Sequence, residues 1–319
     1  MQTILGAGGT MGFELAKVLP GYTDNIRLVS RNPFKINDSD ELFAADLTIT
    51  SEVDKAVEGS EVVYLVAGLP YNINVWEKQW PLVMRNVIQA CKKFNAKLVF
   101  FDNIYMYDPD HLNLMDENTP INPSSKKGEV RAIIAKMLIE EVEKGNITAQ
   151  IARCADFYGP KIERNVMISE MVFKNFAAGK KANWLSSVNF KHSMTYTPDA
   201  GIATAMLGNT ADTYNQVWHL PTASNPPTGK EWIEMIASEM GIKPRFQVAS
   251  KLMIHLMGIF VPVLKEIPEM MYQYDRDYVF ESSKFIKRFK FEPTWAIPHG
   301  PGFIPRSTAS GLPFPNLVR

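Results

Sequence analysis

Four glycines fall within Gly6-Ala7-Gly8-Gly9-Thr10-Met11-Gly12, and the flanking residues leave that segment few conformations. An apolar, strand-like run at 3–5 precedes it. After it, Met11, Leu15, Val18 and Leu19 fall on one helical face. A strand that turns on glycines into a helix aims free backbone N–H groups at whatever sits before the helix, an arrangement suited to phosphate. One glycine permits the tight turn and one lets backbone approach a pyrophosphate. Gly12 lets the helix pack against the strand.

The same alternation continues. Strands are expected at 26–30, 42–45, 62–67, 97–101 and 149–153, and helices at 75–94, bent at Pro81, and 125–144. Residues 108–123 read as a loop rich in Asp, Asn and Pro. β-α-β alternation of this kind implies an α/β fold, a Rossmann-type doubly wound parallel sheet, with ligands outside the carboxyl ends of its strands. The dinucleotide-binding domain is expected over 1–160. A smaller, substrate-covering part is expected over 161–319, with some elements returning to the first domain. There, 166–178 and 229–240 read as helices, 194–196 and 216–220 as short strands, and the Pro- and Gly-rich stretch from 293 onward as a tail over the body.

The end of the second strand bears on which dinucleotide fits. An acid there would bond a ribose 2′-hydroxyl, whereas an arginine accommodates a 2′-phosphate. Here it reads Ser30-Arg31-Asn32, so NADP(H) is expected in preference to NAD(H).

Charge narrows the partners. The 319 residues carry 34 Lys plus Arg and 34 Asp plus Glu, so the basic excess that nucleic acid or a membrane surface would need is missing. A net charge of zero permits self-association, and a homodimer is one expectation. The two cysteines, Cys91 and Cys154, are far apart and lack metal-type spacing, so neither a disulfide scaffold nor a metal site is expected. Without a basic, apolar leader before the turn, a cytoplasmic location is expected. The longest apolar run, 252–264, is too short to span a bilayer. It reads as a buried or pocket-covering helix rather than an interfacial membrane contact.

Further segments carry a resemblance. Gly6, Gly9 and Gly12 form G-x-x-G-x-x-G, Asp46-Leu47 follows the third strand, and Val66-Ala67-Gly68 ends the fourth. Arg153-Cys154-Ala155-Asp156-Phe157-Tyr158-Gly159-Pro160 and Tyr196-Thr197-Pro198-Asp199-Ala200 come later. In this order and spacing they resemble the extended short-chain dehydrogenase/reductase family of epimerases, dehydratases and reductases, here in an atypical, NAD-dependent epimerase/dehydratase-like form. The resemblance implies that Gly6, Gly8, Gly9, Thr10, Met11 and Gly12 hold the dinucleotide with Ser30, Arg31, Asn32, Asp46, Leu47, Val66, Ala67 and Gly68.

It also implies a catalytic Tyr-x-x-x-Lys pair on the helix after the fifth strand, yet no tyrosine occurs between Asn122 and Lys144. Lys127 stands at the Tyr position and Arg131 at the Lys position. The catalytic candidates are therefore Asp102, Asn103, Tyr105, Tyr107, Lys127 and Arg131. Each has a plainer alternative: Tyr107 as packing, Asp102 as a turn cap, Lys127 as half of a solvated pair at a helix start. Tyr71, Asp156, Tyr158 and His192 are expected to line the substrate pocket, with Met270, Met271, Tyr272 and Tyr274 as its roof or as core. Trp76 and Trp80 read as packing. His192 lies where nucleotide-sugar enzymes of that family carry an arginine for the diphosphate. A small, fairly apolar substrate is expected instead, although Arg164 or Lys191 could substitute. Two functions follow: an NADP(H)-dependent oxidoreductase or epimerase-like enzyme, or a cofactor-binding sensor similar to the NmrA-like proteins.

Overall fold

The computed structural model describes residues 1–160 and 166–295. β1 (Gln2–Leu5) is buried throughout and feeds α1 (Thr10–Val18), which turns Met11, Leu15 and Ala16 inward. β2 (Ile26–Ser30), β3 (Glu41–Ala44), α2 (Thr50–Val57), β4 (Val62–Leu65), α3 (Ile73–Phe94), β5 (Lys97–Asp102), α4 (Lys126–Glu143) and β6 (Ala149–Arg153) follow. β4 and β6 are buried along their whole length, as strands covered by helices on both faces must be. α3 starts at Asn72, whose side chain accepts from the Asn74 and Val75 amides, and ends at Asn95 in the left-handed conformation. It runs on through Pro81. The lost backbone bond costs about 3 kcal/mol. Burial of Trp76, Trp80, Val83, Met84 and Val87 on that helix exceeds this, at about 1.5–3 kcal/mol for each large side chain.

The remaining elements are β7 (Asp156–Tyr158), α5 (Lys174–Ala177), β8 (Ala182–Leu185), β9 (Met194–Tyr196), α6 (Thr197–Gly208), β10 (Val217–His219), α7 (Gly229–Glu239), β11 (Phe246–Ala249), α8 (Lys251–Gly258) and α9 (Ser283–Phe289). Among the described residues seven strands form one parallel sheet in the order β10-β6-β5-β4-β1-β2-β3. The order reverses at β1, which pairs with β2 on one side and β4 on the other, so the crevice for a ligand opens past Leu5 and Leu65. This is the doubly wound sheet that the alternation implies.

Two later elements return to the first half. β10 extends the sheet beyond β6, and α6 packs on α1 at Gly201, where a Cβ would stand 2.9 Å from the Glu14 backbone. The rest builds a second core around Trp184, Trp232, Ile233 and Ile236, with the small sheets β7-β9 and β8-β11.

Two expectations need correction. Residues 252–264 do not form one buried helix. α8 ends at Gly258, only Ile254 and Gly258 on it are buried, and the apolar side chains around them face outward. Of the two readings for Met270 and Met271, the structure gives core: each is 4% exposed, because their short 3-10 turn packs them inward. Residues 166–178 are not a uniform α-helix, because a π turn, Ser169–Phe173, precedes α5. The expected tail lies outside the described residues beyond 295. Cys91 and Cys154 are free and buried, and no helix among the described residues is long and apolar enough to cross a membrane.

Candidate active site

The glycine turn divides into two kinds of position. At Gly6 (φ 99°) a Cβ would collide with the Ala67 backbone, and at Gly12 it would stand 2.6 Å from the Ala7 Cα. These two glycines seat β1 against the end of β4 and α1 against the turn. Gly8 and Gly9 are exposed instead, and a Cβ there would meet nothing closer than 3.6 Å. Gly9 caps α1 without a side-chain bond, and the first turn of α1 holds no acid, so no side chain of α1 answers its leading N–H groups. The open groove therefore fits a pyrophosphate.

The surrounding residues are mixed. Thr10 is half-buried, while the Met11 side chain is core. The Ser30 hydroxyl at the end of β2 is buried without a partner and faces Gly8, at 3.7 Å from a Cβ built there. Arg31 and Asn32 are exposed. Asp46 accepts from the Thr48 amide at 2.8 Å and the Thr48 hydroxyl at 2.7 Å, and these bonds, aided by Arg31, hold its carboxyl below the usual range. Leu47 is half-buried, and its carbonyl takes a bond from Asn86. Val66 is buried, Ala67 abuts Gly6, and a Cβ at Gly68 would meet open space. Open glycines, an unpaired hydroxyl and an exposed guanidinium at the sheet's switch point together fit a dinucleotide.

Past β5 and β6 the polar side chains pair with one another. Arg131 forks onto Asp102, with Nε to Oδ1 at 2.8 Å, and Arg153 Nε lies 3.5 Å from the other oxygen. Asp102 is 1% exposed, and its Oδ1 also accepts from the Asn103 amide. The Arg131 guanidinium is stacked 4.6 Å from the Trp80 ring. Tyr107 is fully buried, donates to His219 Nε2 at 2.6 Å and accepts from Arg153 at 3.0 Å.

Lys127 is also fully buried, where its Ser125-capped helix starts. Its ammonium donates to Glu266 and, at 2.6 Å, to Glu269, and lies 4.7 Å from the Tyr71 ring. Both acids come from the distant 262–273 segment, and no local pattern announces them.

A cluster of aromatic rings surrounds the remaining acid. Asp156 Oδ2 accepts from His192 Nε2 and from the Tyr274 hydroxyl, each at 2.9 Å. The His192 ring is stacked between Tyr274 at 4.6 Å and Tyr278 at 4.4 Å, with Trp184 edge-on, so it is not a surface histidine. Tyr105 stacks on Trp76 and bonds Tyr71. Burial first, then the charge of Asp156, holds the Tyr71 and Tyr274 hydroxyls above the usual range. For Tyr105 the order is burial, Tyr71, then Asp156. The Asp156 side chain is 20% exposed. No described residue donates to its Oδ1. Tyr71, Tyr105, Asp156 and His192 thus meet in one place. Tyr158 points instead into the second core against Tyr196 and Trp232. Lys191 is turned to Asn225, and Arg164 lies outside the described residues. No group of three or more His, Cys, Asp or Glu among the described residues could hold a metal ion.

The model of the NAD dependent epimerase/dehydratase family matches residues 3–216. No curated protein matches the sequence. Among solved structures, UDP-glucose 4-epimerase of Thermus thermophilus, in complex with NAD, is similar at TM-score 0.73 and 16% identity, over 92% of this chain and 94% of that one. A dTDP-glucose 4,6-dehydratase of Streptomyces venezuelae with NAD bound is similar at TM-score 0.74 and 13% identity, over 94% of each chain. UDP-N-acetylglucosamine 4-epimerase of Bacillus cereus is similar at TM-score 0.72 and 15% identity, over 93% and 92%. At these identities the likeness is one of fold.

Proposed function

This chain belongs to the NAD dependent epimerase/dehydratase family, and on that premise we propose that it is an NADP(H)-dependent oxidoreductase whose proton is handled by Asp156 with His192. Gly8, Gly9 and the start of α1 would hold the pyrophosphate. Ser30 and Arg31 would hold the adenosine ribose and its 2′-phosphate. When bound, the dinucleotide supplies reversible hydride exchange with a carbinol or carbonyl carbon. The chain's own part is to position that carbon and move the proton on its oxygen.

One observation supports Asp156 in that part: no described residue donates to its Oδ1 and its side chain is 20% exposed, whereas Asp102, Tyr107 and Lys127 are buried and paired. Asp102 is held between two guanidiniums, and Lys127 between two carboxylates. Tyr107 is fixed between His219 and Arg153. Tyr105, its hydroxyl held far above neutrality, can donate a hydrogen bond but cannot act as a base. Tyr71, Tyr105 and Tyr274 would supply the walls for a small, largely apolar substrate.

The test is titration with both cofactors, followed by turnover on alcohols and carbonyls. NADPH is expected to bind more tightly than NADH, with the preference lost in Arg31→Ala. Asp156→Asn and His192→Asn are expected to lower kcat about a hundredfold while leaving cofactor affinity intact. A preference for NADH unaffected by Arg31→Ala overturns the NADP reading, and unchanged kcat in both other variants overturns the acid–base assignment.

A second reading rests on Lys127 and Arg131. Both positions of the family's catalytic pair are tied into internal ion pairs, as a non-catalytic cofactor sensor would allow. Tight NADP(H) binding without turnover of any carbonyl, alcohol or sugar would favour it.

A further inference from the structure

The stretch from Lys251 to Lys265 contains no acidic residue and carries an unusual share of exposed apolar side chains. Phe260 is 84% exposed, Leu252 70% and Ile259 66%, with Met253, Leu256 and Val263 also open. Scattered exposed hydrophobes need no explanation, but a contiguous patch marks a surface that something else covers. Beside it lies a cleft of about 370 Å³ bordered by Lys126, Lys251, His255 and Lys265. The cleft's acids, Glu266 and Glu269, turn to Lys127, and among the described residues none of the three bordering lysines makes an ion pair.

We propose that residues 251–265 dock the molecule on an anionic phospholipid bilayer, with the apolar side chains entering the acyl boundary and Lys126, Lys251 and Lys265 meeting headgroup phosphates. Apolar burial and attraction to anionic lipid are the two contributions that hold an interfacial helix in place, and both are present here side by side. Lysines at the margins of an apolar patch lay their stems along it while their ammonium groups stay in water. A two-fold contact with a second copy fits less well, because it would set two copies of this patch against each other, each with three unpaired lysines and with Glu266 and Glu269 already engaged by Lys127. α8 is eight residues long, so it lies on the membrane and does not cross it. The docking does not depend on the chemistry proposed for Asp156.

Co-sedimentation of the full chain with phosphatidylcholine vesicles, with and without phosphatidylglycerol, tests this. Binding is expected on the anionic vesicles and weakens as salt is raised. Lys251→Gln and Lys265→Gln should each lower the partition constant about fivefold. Phe260→Ser should lower it about tenfold or more. In Phe260→Trp, added vesicles should shift emission to the blue. Absence of binding to anionic vesicles overturns the proposal, as does binding that Phe260→Ser leaves unchanged. A change of oligomeric state in Phe260→Ser without vesicles also overturns it, because the patch would then be a protein interface.

Discussion

His219 is wholly buried and uncharged. Its Nδ1–H donates to the Glu281 carbonyl at 2.7 Å, and Nε2 accepts from the Tyr107 hydroxyl at 2.6 Å, an arrangement only the neutral ring can make. Burial, reinforced by Arg153 and Lys284, lowers its pKa from 6.5 to about 3. The unfolded ring takes up a proton below about 6.5 and the folded one does not. Its contribution to stability is therefore complete above that pH and is lost as pH falls toward 3. Between about pH 7 and pH 4 the expected loss is about 3 kcal/mol. His219→Gln should lose correspondingly less across the same interval in denaturant titrations. Parallel losses in the two proteins would show that this ring does not govern acid sensitivity. Lys127 shows the same economy of pairing: a buried ammonium is tolerable only because Glu266 and Glu269 reach it.

At the scale of elements, the glycine turn separates folding from binding. A side chain at Gly12 would stand 2.6 Å from the Ala7 Cα and 2.8 Å from the Gly6 carbonyl oxygen, so α1 would have to leave its strand. Gly12→Ala should cost about 2 kcal/mol or more in unfolding experiments. Gly9 has φ −94° and open space ahead of it. Gly9→Val should leave the circular dichroism spectrum and Tm unchanged yet abolish dinucleotide binding by calorimetry, because its branches would occupy the phosphate groove. Retained binding would place the cofactor elsewhere. The first-half elements were legible because parallel strands covered on both faces read as uninterrupted apolar runs, as in Val62–Leu65. β7, β8 and β11 were not, being three or four residues long and, in β11, partly exposed.

For the molecule as a whole, a net charge of zero conceals an uneven distribution. Among the described residues, three carboxylates, Asp156, Glu266 and Glu269, and the ammonium of Lys127 lie around Tyr71. Arg131 and Arg153 lie deeper and share Asp102. A nucleotide sugar would bring a diphosphate to that wall without a free guanidinium among the described residues to meet it. UDP- and dTDP-sugars should therefore bind weakly, and neutral or cationic compounds better. Micromolar binding of a UDP-sugar in calorimetry would overturn this. Composition cannot reveal such a wall, since it counts charges without placing them.

Sequence alone determined the parallel sheet, the turn at Gly6–Gly12 and its position at the carboxyl end of β1, because periodicity and glycine placement are local properties of the chain. It also located Tyr71, Tyr105, Asp156 and His192 as candidates, but their assembly into one cluster was decided by contacts spanning more than a hundred residues, such as Tyr274 on Asp156. Tertiary structure likewise decided what surrounds Lys127 and Asp102. A lysine beside a helix start reads as solvated until Glu266 and Glu269 are folded over it, and an aspartate after a strand reads as reactive until two arginines close on it. Ionisable groups take their character from the charges and solvent around them, and those neighbours come from parts of the chain that no local pattern links.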